Sequence, residues 1–268
     1  MDAQQRYTHG HHESVLRSHE WRTLENSGAY FASLLHPGAA VLDVGSGPGT
    51  ITFDIAARVA PGPVVGIDAS ADIVEHATRS AAERGVENVT FSVGDAYALE
   101  FPDATFDVVH AHQVLQHMGD PVAVLRELRR VTKPGGHVVA RDVDWGGTMW
   151  APQLPGLSAW MRVNQAVQRA NHGEPYAGRL LRGWALEAGF EEVSSSASIW
   201  CFASADDRRW WGESWSVRVV DSDFARHALD HGIASSAELD EIAAAWLEWV
   251  RTPSGWYGMP HGEIVARV

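Results

Sequence analysis

Val41-Leu42-Asp43-Val44-Gly45-Ser46-Gly47-Pro48-Gly49-Thr50 is the stretch that decides the fold. A short apolar run with strand character meets three glycines at alternate positions, and a helical pattern begins directly afterwards. Glycine adopts positive φ readily and carries no Cβ to hold a ligand away from the backbone. In open α/β sheets, ligands bind at such turns, beyond the carboxyl ends of the strands. The spacing is Gly-x-Gly-x-Gly, and no Gly-Lys-Ser/Thr follows to cradle a nucleotide phosphate. The expected guest therefore places no phosphate here.

Outward from this turn, short β-rich runs alternate with helical patterns. Val64–Ile67, Val89–Val93, Asp107–His110 and His137–Ala140 read as further strands, apolar and bounded by turn residues, as strands covered on both faces should be. Between them, Ile51, Ile55, Ala56 and Val59 form one helical stripe, ended by Pro61-Gly62. Ile73, Val74, Ala77 and Ala81 form a second, opened by Ser70 and stopped at Gly85. Asp120-Pro121 starts a third, carrying Val124, Leu125, Leu128 and Val131. Pro134-Gly135 then suits a type II turn into the fifth strand. Such repetition predicts a parallel sheet with helices on both faces. Helices are expected over 157–170, 179–188 and within 205–251, with strands near 191–200 and 262–268.

The 268 residues carry a formal charge of −13. That surface repels nucleic acid and anionic membranes, so neither is expected as a partner. No window approaches the ~18 apolar residues of a membrane span, and Met1–Ser14 lacks the apolar run of a signal peptide. With Cys201 as the single cysteine, no internal disulfide is possible. A cytoplasmic protein is expected. Of twelve tryptophans, nine lie from Trp160 onward; core packing accounts for most, and an aromatic substrate pocket is the sharper alternative. The aromatic carboxyl-terminal insert is also a candidate homodimer surface.

Two acids reinforce the glycine turn. Asp68 ends the second strand, 25 residues after Asp43, where a carboxylate can accept from a ribose diol or simply help cap the helix near Ser70. Asp95, within Gly94-Asp95-Ala96 after the third strand, can accept from an adenine amino group or serve as a plain turn aspartate. The fourth strand ends in His110-Ala111-His112-Gln113, against the glycine turn.

Val41–Thr50, Val64–Ala69, Gly94–Val109 and Leu128–Gly136 together resemble the successive motifs of class I S-adenosylmethionine-dependent methyltransferases, most closely the quinone-biosynthesis type of small-molecule enzyme. The resemblance covers about residues 35–145, with four motifs in order. It implies a doubly wound, seven-stranded Rossmann-like α/β sheet, mostly parallel with an antiparallel last strand. It further implies S-adenosylmethionine as cofactor and S-adenosylhomocysteine as product. Gly45, Ser46 and Gly47 would pack on the methionyl part, Asp68 and Ala69 at the ribose, and Asp95 and Ala96 at the adenine. His112 and Gln113 would lie near the sulfonium and methionyl end, and Asp43 would orient the turn.

Tyr7-Thr8-His9-Gly10-His11-His12-Glu13-Ser14, continuing to Arg22-Thr23, is similar to a lid segment of actinobacterial natural-product methyltransferases, a group that includes indole C3 enzymes. In it Arg22 is the candidate for the cofactor carboxylate, because guanidinium matches carboxylate geometry. The histidines admit three readings: a metal site, for which no matching carboxylate or cysteine set exists; a polar lid; or acid–base groups. No metal is expected. Tyr7, His9, His12 and His117 are the candidate acid–base residues, with a packed core position as the alternative for His117. The domain expectation is a helical lid over 1–36, a methyltransferase core over 37–204, a helical insert over 205–251 and a final core strand over 252–268. The acceptor is expected to be a small molecule, an indole-containing precursor or another aromatic or quinone-like metabolite methylated on carbon, oxygen or nitrogen. A nicotinamide-dependent dehydrogenase shares the sheet and the ribose acid but not the glycine spacing or the Lys133-Pro134-Gly135-Gly136 element. A non-methylating relative that keeps the cofactor as scaffold is the remaining alternative.

Overall fold

The computed structural model describes residues 21–268. Parallel strands β1 (Val41–Val44), β2 (Val64–Asp68), β3 (Val89–Val93), β4 (Phe106–His112) and β5 (Thr132–Val143) form one continuous sheet in the order β3-β2-β1-β4-β5. Helices α1 (Thr50–Val59), α2 (Ala71–Arg84) and α3 (Pro121–Val131) lie between them in the chain. Side-chain caps start the second and third of these. Ser70 accepts from Ile73 N–H, and Asp120 accepts from Ala123 N–H at 2.9 Å ahead of Pro121.

Beyond β5 come β6 (Met149–Ala151), α4 (Pro155–Ala170), α5 (Ala177–Glu187) and β7 (Glu192–Phe202). Three helices follow, α6 (Ala205–Arg218), α7 (Asp223–Asp230) and α8 (Ser236–Arg251), and the chain returns as β8 (Trp256–Arg267). β8 runs antiparallel between β5 and β7, so the mostly parallel, doubly wound sheet is as expected. It has eight strands where seven were expected: β6 continues the track of β5 along β8, pairing Trp150 with Tyr257. Three residues are too few to show alternation. β5 begins at Thr132 and β8 at Trp256, each earlier than the sequence pattern predicts. Gly135-Gly136 and Gly258-Met259-Pro260 interrupt the apolar alternation there, while edge pairing continues through Gly135 N–H to Val268 O at 2.7 Å.

Three apolar clusters hold these layers. Leu42, Val44, Val109, Val138 and Ile264 pack with α3 and α5 on one sheet face. Val41, Val108, Val139 and Phe31 pack with α1 on the other. The third cluster joins α4, α6, α7 and α8 and contains Trp145, Trp160, Trp211, Trp215, Trp246 and Trp249. Among the described residues, no helix is long and apolar enough to cross a membrane.

Candidate active site at the carboxyl ends of the strands

Gly45 has φ +67°, and a Cβ there would lie 2.4 Å from Val114 Cγ2, so only glycine fits this turn. Asp43 braces it from below. One carboxylate oxygen meets His110 Nδ1 at 2.7 Å, and the other accepts from Thr52 Oγ1 at 2.6 Å. Asp68 accepts from Gly47 N–H at 3.1 Å and from Ser70 N–H at 3.0 Å. A carboxylate offers about four lone-pair sites, so Asp68 retains capacity for a diol. Ser46 donates its backbone N–H to Ile67 O at 2.9 Å, and its hydroxyl is buried with no partner among the described residues. Asp95 is exposed and accepts from Tyr97 N–H at 2.9 Å, with Ala96 buried beside it. Ala69 is exposed next to Asp68. A glycine cradle and acids with spare acceptor capacity fit a nucleoside joined to an amino acid.

At the end of β4 the site turns polar. Cross-strand register sets Asp43 beside His110, His112 beside Arg141, and Arg141 beside Glu263, which faces Ser196. Alternation along each strand then puts these side chains on one sheet face. His110 and His112 have parallel rings 6.3 Å apart, and His112 and His261 are also 6.3 Å apart. Both ring nitrogens of His112 are buried with no partner among the described residues. Burial first, then the charges of Arg22 and Arg141, hold the His112 pKa well below the ordinary imidazole value, so the ring is neutral. The His261 pKa is lowered for the same reasons. Its neutral form donates Nδ1–H to Met259 O at 3.0 Å and accepts at Nε2 from Gln113 Nε2 at 2.8 Å.

Gln113 is clamped tightly. It sits at φ +54°, unusual for a side chain with a Cβ, and its N–H donates to Arg141 O at 2.7 Å. Its side-chain oxygen accepts from Arg22 Nη2 at 2.8 Å. The structure thus joins Arg22, Gln113 and His112, three of the residues selected from sequence. His117 lies in the turn after β4, where burial lowers its pKa to about 4. Tyr7, His9 and His12 lie outside the described residues.

Several residues of the site escape sequence reasoning. Arg141 is fully buried; its Nε donates to Glu263 Oε1 at 3.2 Å, and its guanidinium lies 4.8 Å from the Trp200 ring centroid. Burial lowers its pKa to about 10, so it stays cationic near neutrality. Arg141 Nη1, the Tyr30 hydroxyl, Gln116 Oε1 and Asp142 Oδ2 are buried without partners among the described residues. Each such atom costs roughly 1–3 kcal/mol. The available clue was a charged residue, Arg141 or Glu263, inside an otherwise apolar strand. Among the described residues, no group of three or more His, Cys, Asp or Glu side chains is arranged to hold a metal.

Comparison with known proteins identifies the family. The methyltransferase domain matches residues 35–198. The chain belongs to the methyltransferase domain family. It is a class I enzyme, and its methyl donor is S-adenosylmethionine. This methyltransferase is 37% identical to an uncharacterized methyltransferase of Schizosaccharomyces pombe, over 97% of its own length and 95% of that protein. It is 36% identical to a ubiquinone/menaquinone biosynthesis C-methyltransferase of Bdellovibrio bacteriovorus, over 46% of its length and 51% of that protein. Among solved structures, the YcgJ protein from Bacillus subtilis shares the fold with a TM-score of 0.59 at 20% identity, covering 96% of the methyltransferase and 99% of that chain.

Proposed function

We propose that this methyltransferase acts on a small aromatic acceptor, and that the indole ring of a natural-product precursor, methylated on carbon, is the acceptor to test first. The observation that carries the reading is the pairing of two features. A neutral, unpartnered His112 stands next to the Gly45 turn, and a tryptophan-lined cluster adjoins the carboxyl ends of β5 and β7. The likeness to the quinone C-methyltransferase supports a second reading, methylation of a quinone-like ring. That match covers under half of the chain.

Gly45, Ser46 and Gly47 hold the methionyl part, with Arg22 and Gln113 at its carboxylate. Asp68 and Ala69 hold the ribose, and Asp95 and Ala96 the adenine. Asp43 braces the turn. S-adenosylmethionine, when bound, supplies an electrophilic methyl on a sulfonium, open to direct displacement. The protein's task is then alignment and exclusion of water, and orientation alone contributes on the order of 7–11 kcal/mol in favourable cases. Aromatic faces of the Trp200 kind add about 0.5–2 kcal/mol each where positive charge develops. A carbon nucleophile becomes cationic on attack and must lose a proton. His112, neutral and with an open lone pair, would accept it.

Labelled methyl transfer to indole, phenol and amine acceptors tests the reading, with the site of methylation assigned by NMR. Label on an indole carbon supports it, and no transfer to any of the three sinks it. Gly45→Ala is expected to weaken S-adenosylhomocysteine binding at least ~100-fold, close to 3 kcal/mol, as measured by isothermal titration calorimetry. Binding within twofold of wild type would remove the glycine turn from the cofactor site.

A further inference from the structure

One face of α4 carries Asn164 and Gln168, four residues apart, and Asn171, which caps the helix, follows three residues later. Asn171 is satisfied: its Nδ2 lies 2.8 Å from His227 Nδ1. The other two are not. Asn164 and Gln168 have no exposed surface, and all four of their amide atoms lack a partner among the described residues. Gln116, in the turn that follows β4, is also buried, with Oε1 unpartnered. The two elements meet at Gly173. Its N–H donates to Gln168 O at 2.9 Å, and the next N–H, of Glu174, donates to Gln116 O at 2.8 Å. A Cβ on Gly173 would lie 2.7 Å from Gln116 O and 3.3 Å from Gln168 O. The backbones of Gln116 and Gln168 thus meet through Gly173 and Glu174, and Asn164 stands one helical turn before Gln168, with Trp160 of the aromatic cluster one turn earlier again.

Packing does not call for amides here, because leucine or methionine would fill the same space without stranded polar atoms. A carboxamide side chain carries both donors and an acceptor and cannot ionise. Unlike the Arg141–Glu263 pair, the cluster offers no charge to an ionised ligand, and burial penalises an unpaired ion heavily. We propose that Gln116, Asn164 and Gln168 form an acceptor subsite for a neutral group that donates and accepts hydrogen bonds together, as a carboxamide or a ring N–H beside a carbonyl does. The subsite rests on the methyl-transfer reading, whose substrate class it narrows. A site built around hydrogen bonds also rejects analogues that cannot make them far more strongly than an apolar pocket does.

The test uses S-adenosylhomocysteine-loaded wild type and the double variant Asn164→Leu/Gln168→Met, titrated calorimetrically with indole-3-acetamide and indole-3-acetate. The expected result is that wild type binds the amide at least tenfold tighter than the acid. The preference disappears in the double variant, whose affinity for S-adenosylhomocysteine stays within twofold. The variant should also melt at a higher temperature, since stranded amides have been replaced by apolar groups. Equal affinities, a preference that survives in the variant, no binding of either probe, or a lowered melting temperature would each overturn the subsite. If wild type fails to bind S-adenosylhomocysteine, the methyl-transfer reading falls instead, and the melting temperatures still report on the amides.

Discussion

The two halves of the sheet treat buried polarity in opposite ways. Around β1, β2 and β3, buried side-chain polar atoms are paired: Thr52 with Asp43, and Asn88 Nδ2 with the carbonyls of Ala56 and Gly62 at 2.9 and 2.8 Å. Between Ser46 and His110, no buried side-chain polar atom lacks a partner among the described residues. From His110 onward such atoms accumulate at His112, Gln116, Arg141, Asp142, Asn164 and Gln168. Native interiors rarely strand polar groups, and those that do invite a functional account. The first half is complete in itself except at the glycine turn. Among the described residues, the second half leaves such atoms unpaired in its interior.

Asp142 gives the largest expected break in that contrast. It is fully buried, and burial raises its pKa from 3.8 to about 7 although Gln116 N–H donates to Oδ1 at 3.2 Å. A carboxyl whose folded pKa lies above its unfolded value binds more protons folded than unfolded. Stability is therefore lost as pH rises from near 4 to near 7, and the loss is constant above that. Asp142→Asn keeps the acceptor and removes the charge. At pH 8 the variant should be more stable than wild type by up to about 4 kcal/mol, with no difference at pH 3.5, by urea unfolding. The buried imidazoles slope the other way. His112, His117 and His261 have lowered folded pKa values, so their contribution falls as pH drops below about 6.5. If Asp142→Asn tracks wild type at both pH values, the carboxyl is not charged at a cost to the fold.

The same division decides what could be read without coordinates. Gly45, Asp68 and Asp95 stood out in the sequence because each lies at or just beyond the end of a strand, where local sequence fixes the backbone. The alternation of strands and helices was legible for the same reason. Arg141, Glu263, His261 and Gln113 come together only through β4–β5 and β5–β8 pairing; Arg141 and Glu263 are 122 positions apart. No local pattern announces such a contact. Tyr30 and Asn164 were silent for a further reason: a tyrosine in a helical turn or an asparagine on a helix reads as surface until its burial is known. β6 was missed because three residues carry no periodicity.

Thr52→Val sharpens the contrast from the paired side. The change keeps the shape and removes the hydroxyl that donates to the buried Asp43 carboxylate. Hydrogen bonds to charged groups are worth roughly 1.5–3 kcal/mol, so a loss of about 2 kcal/mol is expected, measured by chemical denaturation at pH 7. His110 still holds the other carboxylate oxygen, and this caps the damage. A variant as stable as wild type would mean that the first half tolerates stranded acceptors too, and the contrast would vanish.

Tyr30→Phe is the matching change on the unpaired side, and its expected effect is the smallest and of opposite sign. The hydroxyl is buried without a partner among the described residues, and burial raises its pKa well above the ordinary phenol value, so it is neutral. Removing it gives up no hydrogen bond within the described chain and relieves a desolvation cost. A gain of about 1 kcal/mol in the ligand-free protein is expected. The ring contact with Phe31, 5.1 Å between centroids, survives the substitution. A loss of stability would instead show that the hydroxyl has a structural partner, which moves Tyr30 into the paired half. A gain would mean that this corner of the interior keeps a polar atom at the expense of stability, as binding sites do and cores do not.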